Sequence, residues 1–144
     1  MNIDQFNRVF DEVKSTKPLW LEGEMEPKAS DKDISDTEKE LGVKLPAQLV
    51  EFIKNIGSGY FGYTNVFSVD INSEWYFIDI IKRFSFPENF IPVSDDETGG
   101  YYGFLTMDNV CRDEVYYWHS SEELAPQLKY KTFYEYLVKV ALNK

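Results

Sequence analysis

Residues 34–62 read ISDTEKELGVKLPAQLVEFIKNIGSGYFG, and they predict two successive helices. The apolar positions at helical spacing are Ile34, Leu41, Leu49, Phe52, Ile53 and Ile56. Ser30 can accept hydrogen bonds from first-turn amides, and Gly42 suits the left-handed residue that ends a helix. Pro46 suits the first position of the second helix, and Gly57 closes it. A helical pair is therefore expected in the first half of the chain.

Two further helices are predicted at the ends of the chain. Their apolar stripes consist of Ile3, Phe6, Phe10 and Val13 and of Phe133, Leu137, Val140 and Ala141. Asn2 can cap the first of these helices, and Thr132 with Glu135 forms a capping box for the last. The polar segment from Lys17 to Asp33 is expected to be a loop or an extended arm. Its anchoring side chains would be Leu19, Trp20 and Leu21.

The residues after Gly59 predict short strands, because aromatic and β-branched residues alternate with glycines and acids. The strand segments are YFGY (60–63), VFSVDI (66–71), FIPVS (90–94), YYGFLT (101–106) and EVYYWH (114–119). SEWYFIDIIKRF (73–84) fits either a strand or a helix; Ser73 as a cap, with Trp75, Ile78 and Lys82 on one face, favours the helix. We predict one α+β domain over residues 1–144. An antiparallel-rich mixed sheet would pack against N-terminal, central and C-terminal helices.

The composition predicts a folded, acidic protein. Hydrophobic residues make up 43% and aromatic residues 17% of the 144 residues, which is enough apolar volume for a core. The formal net charge of −10 repels phosphate backbones and anionic lipids, so nucleic-acid and membrane-surface binding are disfavoured. A basic protein partner is the expected alternative.

Cysteine content and the N-terminal residues indicate a cytoplasmic location. Cys111 is the only cysteine, which excludes an internal disulfide and a four-cysteine metal site and fits a reducing compartment. The opening residues MNIDQFNRVF lack a basic start followed by an apolar run, and no apolar run approaches the ~20 residues of a membrane span. We expect a cytoplasmic protein that needs no metal or organic cofactor.

Catalysis is the least favoured of the functions considered. Cys111 and His119 could meet across a hairpin as a nucleophile and base, but their aromatic strands lack a glycine-rich oxyanion turn. His119 alone is too few ligands for zinc. The chain has no phosphate loop or nucleophile elbow that would support a hydrolase.

The carboxylate-rich segments suggest a docking surface for a basic partner, with a merely solvated face as the alternative. These acids are Asp95, Asp96, Glu97, Asp108, Asp113 and Glu114, and their spacing does not match a calcium loop. Tyr101, Tyr102 and Trp75 are the aromatic candidates for the same partner-binding face as Asp95, Asp96 and Glu97. Glu38 is expected to act locally by accepting a hydrogen bond from a backbone amide or an aromatic hydroxyl.

Residues 34–62 resemble the signature of the SUKH superfamily, in which a helical acid precedes Leu-Gly, Leu-Pro, an aromatic helix and a glycine-rich turn. The matching positions are Ile34, Glu38, Leu41, Gly42, Leu45, Pro46, Phe52, Ile53, Gly57, Gly59 and Gly62. FIPVSDDETGGYYGFL (90–105) is similar to the family's second block. One departure is that Tyr101 follows Gly100 where relatives often place an acid.

The resemblance implies a protein-binding role without a common catalytic residue set. Many bacterial relatives are immunity proteins paired with nuclease or other toxins, and fungal relatives regulate cell-wall glucan synthesis. We therefore expect an immunity protein that neutralises a basic toxin domain, as a monomer or weak homodimer. A regulatory scaffold that recruits client proteins is the second interpretation. The coding neighbour separates the two, because an upstream reading frame that ends in a toxin domain favours immunity.

Overall fold

The structure, a computed structural model, describes residues 1–17 and 25–144. Its helices are α1 (Ile3–Thr16), α2 (Asp31–Leu41), α3 (Ala47–Asn55), α4 (Phe77–Arg83) and α5 (Phe133–Tyr136), which continues into a π-helical turn, Leu137–Ala141. Its strands are β1 (Met25–Glu26), β2 (Ser58–Phe61), β3 (Thr64–Val66), β4 (Phe90–Asp95), β5 (Gly100–Met107), β6 (Val110–Cys111), β7 (Val115–His119) and β8 (Gln127–Tyr130). The predicted α+β class is confirmed.

Helices α1, α2 and α3 form where the sequence predicts them. Asn2 makes a full capping box with Gln5, with both hydrogen bonds at 2.9 Å. Ser30 caps α2, which ends at Gly42 with the left-handed φ of 72°. Helix α3 begins at Ala47, one residue later than predicted, so Pro46 is the extended residue before the helix rather than its first residue. The proposed anchors Leu19, Trp20 and Leu21 lie outside the described residues.

The strands form two antiparallel sheets rather than the single sheet that the sequence suggested. One has the order β1-β2-β3, and the other has the order β4-β5-β7-β8, with β6 paired to β5. The sheets adjoin at the end of β3, where the Phe67 N–H donates to the Val93 carbonyl at 2.9 Å. Strand β8 also extends the second sheet beyond His119, the predicted last strand residue.

The prediction of a strand over VFSVDI (66–71) is wrong, because β3 ends at Val66. Side chains here bind the local backbone: the Asp70 N–H donates to Ser68 Oγ at 3.0 Å, and the Asn72 N–H donates to Asp70 Oδ1 at 2.9 Å. Such bonds compete with a strand ladder. The following segment is helical, as predicted, but α4 begins only at Phe77.

Ser73 is therefore not the cap of α4, and Trp75 does not share its face with Ile78 and Lys82. The Ser73 hydroxyl donates to Glu26 Oε2 at 2.8 Å and accepts from the Trp75 N–H at 2.9 Å. Tyr76 is extended, so the chain straightens before the helix starts. Trp75 consequently lies on the loop between β3 and α4.

The core is built from aromatic rings of the three predicted helical stripes and of both sheets. Phe52 of α3 is the centre: its ring centroid lies 6.0 Å from that of Phe6, 5.0 Å from that of Phe61 and 5.8 Å from that of Phe133. Phe133 also contacts Phe104 of β5 at 6.0 Å. Helices α1, α3 and α5 thus pack against the sheets, as predicted.

The last helix differs from the prediction in its winding. Glu135 donates its N–H to Thr132 Oγ1 at 3.2 Å, but its carboxylate accepts from the Lys131 N–H, so the capping box is incomplete. The chain then widens to π winding, in which the Leu142 N–H bonds to the Leu137 carbonyl. The Ala141 carbonyl accepts from the Tyr63 N–H of the β2–β3 hairpin at 2.9 Å.

Candidate protein-binding face

The acidic turn between β4 and β5 is organised by the carboxylate of Asp96. Its Oδ1 accepts hydrogen bonds from the Thr98 N–H at 2.9 Å, the Thr98 hydroxyl at 2.7 Å and the Gly100 N–H at 2.8 Å. Its Oδ2 accepts from the Tyr117 hydroxyl at 2.6 Å. Burial raises the pKa of Asp96, but these hydrogen bonds, with that of Tyr117 the strongest, outweigh it and lower the pKa to about 2. Asp96 is therefore a structural anion of the turn.

Gly100 fits this turn because it has no side chain. A Cβ there would collide with the Tyr117 hydroxyl and with the Asp96 carboxylate. The next residue, Tyr101, is only 7% exposed. The position where the family resemblance would place an acid is thus inside the fold in this chain, and Tyr101 gives it no polar surface role.

Asp95 is held by the side chain of Asn65, which links the two sheets. The Asp95 N–H donates to Asn65 Oδ1 at 3.2 Å, and Asn65 Nδ2 donates to Asp95 Oδ1 at 3.3 Å. Asn65 is buried, and its side-chain amide connects β3 to β4 in the way that backbone hydrogen bonds connect paired strands. The Glu97 N–H also donates to Asp95 Oδ1, at 3.1 Å. The turn is fixed at its first and second acids, while the Glu97 side chain is exposed.

A buried hydroxyl network lies beneath this junction. Thr64 Oγ1 is 2.6 Å from Ser94 Oγ and 2.8 Å from the Tyr136 hydroxyl. Ser94 Oγ donates to Asn65 Oδ1 at 3.2 Å. Burial raises the pKa of the fully enclosed Tyr136, which keeps its hydroxyl neutral. The network joins β3, β4 and α5, so the hairpin and the turn have a rigid base.

The β2–β3 hairpin and the acidic turn enclose a cleft of about 200 Å³, which we call the acidic cleft. Its walls are formed by Tyr60, Gly62, Tyr63, Thr64, Asn65, Asp95, Asp96 and Glu97. Tyr60 is 40% exposed and Tyr63 is 67% exposed. Gly62 and Tyr63 form the two-residue turn of the hairpin. A Cβ on Gly62 would collide with the Ala141 carbonyl oxygen, so close contact with the π-helical turn sets the position of Tyr63.

Sequence reasoning missed Tyr60 and Tyr63 as site residues. The sequence placed both in a strand segment, although a two-residue turn at Gly62 would have indicated that Tyr63 projects from a hairpin tip. Their position opposite the acidic turn depends on the contact between β3 and β4, which no local pattern indicates. Tyr60 and Tyr63 add the exposed aromatic surface that the prediction sought elsewhere.

Trp75 joins this surface through Tyr60. The two rings meet edge to face, with centroids 5.6 Å apart, and Trp75 also stacks on Phe67 at 6.4 Å. Three of the six predicted partner-binding residues, Asp95, Asp96 and Glu97, line the acidic cleft. Trp75 does not line it but contacts Tyr60, which does. The structure brings these four together.

Tyr101 and Tyr102 are not among the residues that line the cleft, because they belong to opposite, covered faces of β5. Tyr101 packs on Phe84, Phe86 and Trp118. The half-buried Tyr102 lies 4.7 Å from Tyr136 and 5.0 Å from Tyr117, between ring centroids. Burial raises the pKa of both tyrosines. These positions favour packing roles for both rings.

The negative charge is concentrated on the strand-rich half of the chain. Stretches 55–81 and 84–111 contain no lysine or arginine but eight of the acids, and thereby most of the net charge of −10. These acids are Asp70, Glu74, Asp79, Glu88, Asp95, Asp96, Glu97 and Asp108. Within residues 1–17 and 25–144, the ion pairs within 4 Å all involve other carboxylates. No ion pair of the described residues therefore neutralises a carboxylate of the acidic cleft.

Cys111 and His119 do not form the nucleophile and base pair considered from the sequence. Cys111 pairs with Thr106 and His119 with Gly100, at opposite ends of β5, which places them about 20 Å apart at the usual rise per strand residue. Burial, with a smaller contribution from the charge of Glu38, raises the pKa of the Cys111 thiol to about 12. Among the described residues, no three His, Cys, Asp or Glu side chains converge as a metal site.

Comparison with known families identifies the chain's relatives. The SUKH_6 family model, described as SMI1-KNR4 cell-wall, matches residues 31–137. The chain belongs to the SUKH superfamily. The matched region runs from α2 into the π-helical turn and so includes every wall of the acidic cleft. A comparison with curated proteins gave no match.

SUKH membership supports a protein-binding role, either in immunity or in regulation. The prediction for Glu38 is confirmed, because Glu38 Oε2 accepts from the Leu45 N–H at 2.8 Å across the Leu-Gly and Leu-Pro segment. No helix in the described part of the chain is long and apolar enough to cross a membrane.

Proposed function

We propose that this SUKH protein is a non-catalytic, cytoplasmic binding module and, more specifically, an immunity protein that neutralises a basic bacterial toxin domain. Family membership supports the general binding role. The specific role rests on the acidic cleft, where exposed Tyr60 and Tyr63 lie beside Asp95 and Glu97. Neither a metal nor an organic cofactor takes part in this function. The chain acts as a monomer or a weak homodimer.

The uncompensated charge is the observation that carries the proposal. Surface carboxylates without lysine partners attract a basic protein over a Debye length of about 8 Å at physiological ionic strength. Exposed tyrosines supply apolar area that is desolvated once contact is made, as at interface hot spots. A surface that only had to remain soluble would need the acids but not the adjacent exposed rings.

The rigidity of the cleft supports the same conclusion. The turn and the hairpin are held by Asp96, by the Asn65 amide and by the Thr64 hydroxyl network. Binding to a preorganised surface loses little conformational entropy, which is the requirement for a tight inhibitor. Carboxylates also carry the negative charge that phosphates carry, so the exposed acids at the rim of the cleft suit the basic substrate-binding surface of a nuclease toxin.

A regulatory scaffold is the second candidate, favoured by the cell-wall description of the matching family. Such a protein would recruit client proteins through the same face without inhibiting them. The two functions differ in what happens to the captured partner, and the coding neighbour provides an inexpensive first discrimination. An adjacent reading frame that ends in a toxin domain favours immunity.

Co-purification tests the proposal directly. A tagged chain is used to capture partners from the cytosol of its own cells, and the captured protein is then expressed alone or together with the chain. We expect a basic protein that arrests growth alone and is harmless in the complex. A harmless client would replace immunity by the scaffold function. If the folded chain captures no specific protein at low salt, the binding role itself is refuted.

A further inference from the structure

We infer that the acidic cleft accepts one arginine side chain from the protein partner. The inference rests on the proposed function, because it names the group that the partner presents. Three properties of the cleft lead to it: its volume, the aromatic rings in its wall and the arrangement of its carboxylates. Each property excludes a different class of occupant.

The volume selects a single side chain. The cleft measures about 200 Å³, whereas sites for drug-sized molecules typically occupy roughly 300–1,000 Å³. A folded element of a partner is larger still and could reach only the rim. A protruding side chain from a loop is the protein fragment that matches this space.

The carboxylates select a cation with several donors. The two hydrogen bonds that the Asp95 carboxylate accepts among the described residues both go to Oδ1, so Oδ2 faces no competing donor there. Glu97 is exposed and belongs to none of the ion pairs of the described residues. Asp96 already uses both oxygens in the turn and contributes only its charge. Two separated acceptors suit a guanidinium, which spreads five N–H donors in a fixed plane.

The acids do not converge as a metal ion would require. In residues 1–17 and 25–144, no group of three carboxylate, thiol or imidazole side chains is close enough to ligate one ion. A bare divalent cation would therefore keep most of its water shell here. An organic cation with its charge spread over a plane tolerates the separation.

The tyrosines select arginine over lysine. Tyr60 and Tyr63 form the wall opposite the acids, and each offers exposed ring surface. A guanidinium stacks on an aromatic face while keeping its edge donors for carboxylates, and it is more weakly hydrated than an ammonium. Lysine can satisfy the charge but not the stacked, edge-bonded geometry.

The experiment uses capped tripeptides as probes of the whole chain. Gly-Arg-Gly, Gly-Lys-Gly and Gly-citrulline-Gly are titrated into isotope-labelled protein, and backbone amide shifts are followed by NMR. We expect the arginine peptide to bind with a dissociation constant on the order of millimolar and to shift amides in 60–65 and 95–100. The lysine peptide should bind about 3-fold more weakly, and the neutral citrulline peptide should cause no localised shift.

Two substitutions separate the contributions of charge and ring. Glu97→Gln keeps the side-chain shape at an exposed position, and Tyr63→Leu keeps apolar bulk but removes the π face. Each should weaken the arginine peptide about 3-fold. Glu88→Gln, an acid outside the cleft walls, is the matched control and should change nothing. Amide spectra that remain dispersed exclude unfolding as the cause.

The inference is overturned if the arginine peptide shifts no cleft amides, if citrulline shifts them equally, or if lysine binds as tightly as arginine. These outcomes differ from a failure of the proposed function. If no cleft amide shifts but the chain still co-purifies a toxin, the immunity function holds and the toxin binds at another surface. Arginine binding in a chain that captures no protein supports the cleft chemistry and refutes the cellular role.

Discussion

The two halves of the molecule use acidic residues in different ways. On the α2–α3 side, carboxylates are paired with lysines: Asp31 lies 2.8 Å from Lys54, and Glu38 lies 3.7 Å from Lys44. No lysine or arginine is among the residues that line the acidic cleft, and its carboxylates either hold the turn or are exposed. An acid count alone would treat both sides alike. The difference in charge compensation between the two sides is what supports the proposed docking surface at the cleft.

The comparison predicts, first, that Asp96 contributes most to stability although it lies on the proposed binding face. Asp96→Ala removes the acceptor of four hydrogen bonds, one of them from the part-buried Tyr117 hydroxyl. We expect a loss of about 2–4 kcal/mol in the free energy of unfolding, measured with urea. Glu97→Gln, one residue along, should stay within about 0.5 kcal/mol of the parent. If Asp96→Ala also lowered the free energy of unfolding by no more than about 0.5 kcal/mol, the structural role of Asp96 would be contradicted.

A second test concerns the compensated side, where the amide bond of Glu38 should matter more than its ion pair. Glu38→Ala leaves the Leu45 N–H without its acceptor and should destabilise the protein by about 1–2 kcal/mol. Lys44→Ala removes only an exposed lysine and should change stability by less than about 0.5 kcal/mol. Thermal or urea unfolding measures both. Equal effects would mean that the ion pair, not the amide bond, stabilises this junction.

The pH dependence gives a third, smaller effect. The folded pKa of Asp96, about 2, lies below its ordinary value of 3.8. Its stabilisation is therefore fully present above the ordinary pKa and is lost as pH falls through about 2. After allowance for solvent screening, we expect a loss on the order of 1 kcal/mol across this window.

Asp96→Asn provides the control for this effect. The variant cannot titrate at position 96, so its unfolding free energy should fall less steeply between pH 5 and pH 2 than that of the parent. Urea unfolding at a series of pH values gives the difference curve. A parent and a variant with parallel curves would show that other carboxylates account for the acid sensitivity.

The smallest expected effect is on association rate. With a captured partner, Glu97→Gln should slow association about 2-fold to 3-fold at low salt, and the difference should vanish at high salt. Glu40→Gln is matched on the helical side, where the carboxylate lies 3.6 Å from Lys82. It should change the rate less. Stopped-flow measurements that give equal slowing for both variants would mean that total charge, not the cleft, steers the encounter.

Local signals predicted the helical part of the fold well. Helices α1 to α3 each combine an apolar stripe with a characteristic residue at the start. Both signals lie within a short segment of sequence, so they can be recognised without knowledge of the rest of the fold. The strand prediction at residues 66–71 failed because side-chain bonds at Ser68 and Asp70 replace the ladder. The π winding after Tyr136 also left no distinct periodicity in the sequence.

The candidate site was predicted only in part, because its second wall comes from elsewhere in the chain. The acidic turn is a continuous run of residues in the sequence, but Tyr60 and Tyr63 reach it through long-range contacts between β3 and β4, among them the Asn65 and Thr64 hydrogen bonds. Tyr101 looked available from the sequence, but Phe86 and Trp118 cover its face of β5. Which side of a strand is covered depends on distant elements, and sequence alternation cannot show it.

The groups that hold the cleft together differ from the side chains that it exposes, and this difference has an evolutionary consequence. The hydrogen bonds that hold the hairpin and the turn together include those of the Tyr63 backbone, of Asn65 and of Asp96, and the side chains of Tyr63 and Glu97 are exposed. If the proposed function holds, substitutions at these two side chains change the choice of partner while the hydrogen bonds beneath them stay intact. An immunity protein of the proposed kind would then follow sequence changes in its toxin by exchanging a few surface residues on an unchanged fold.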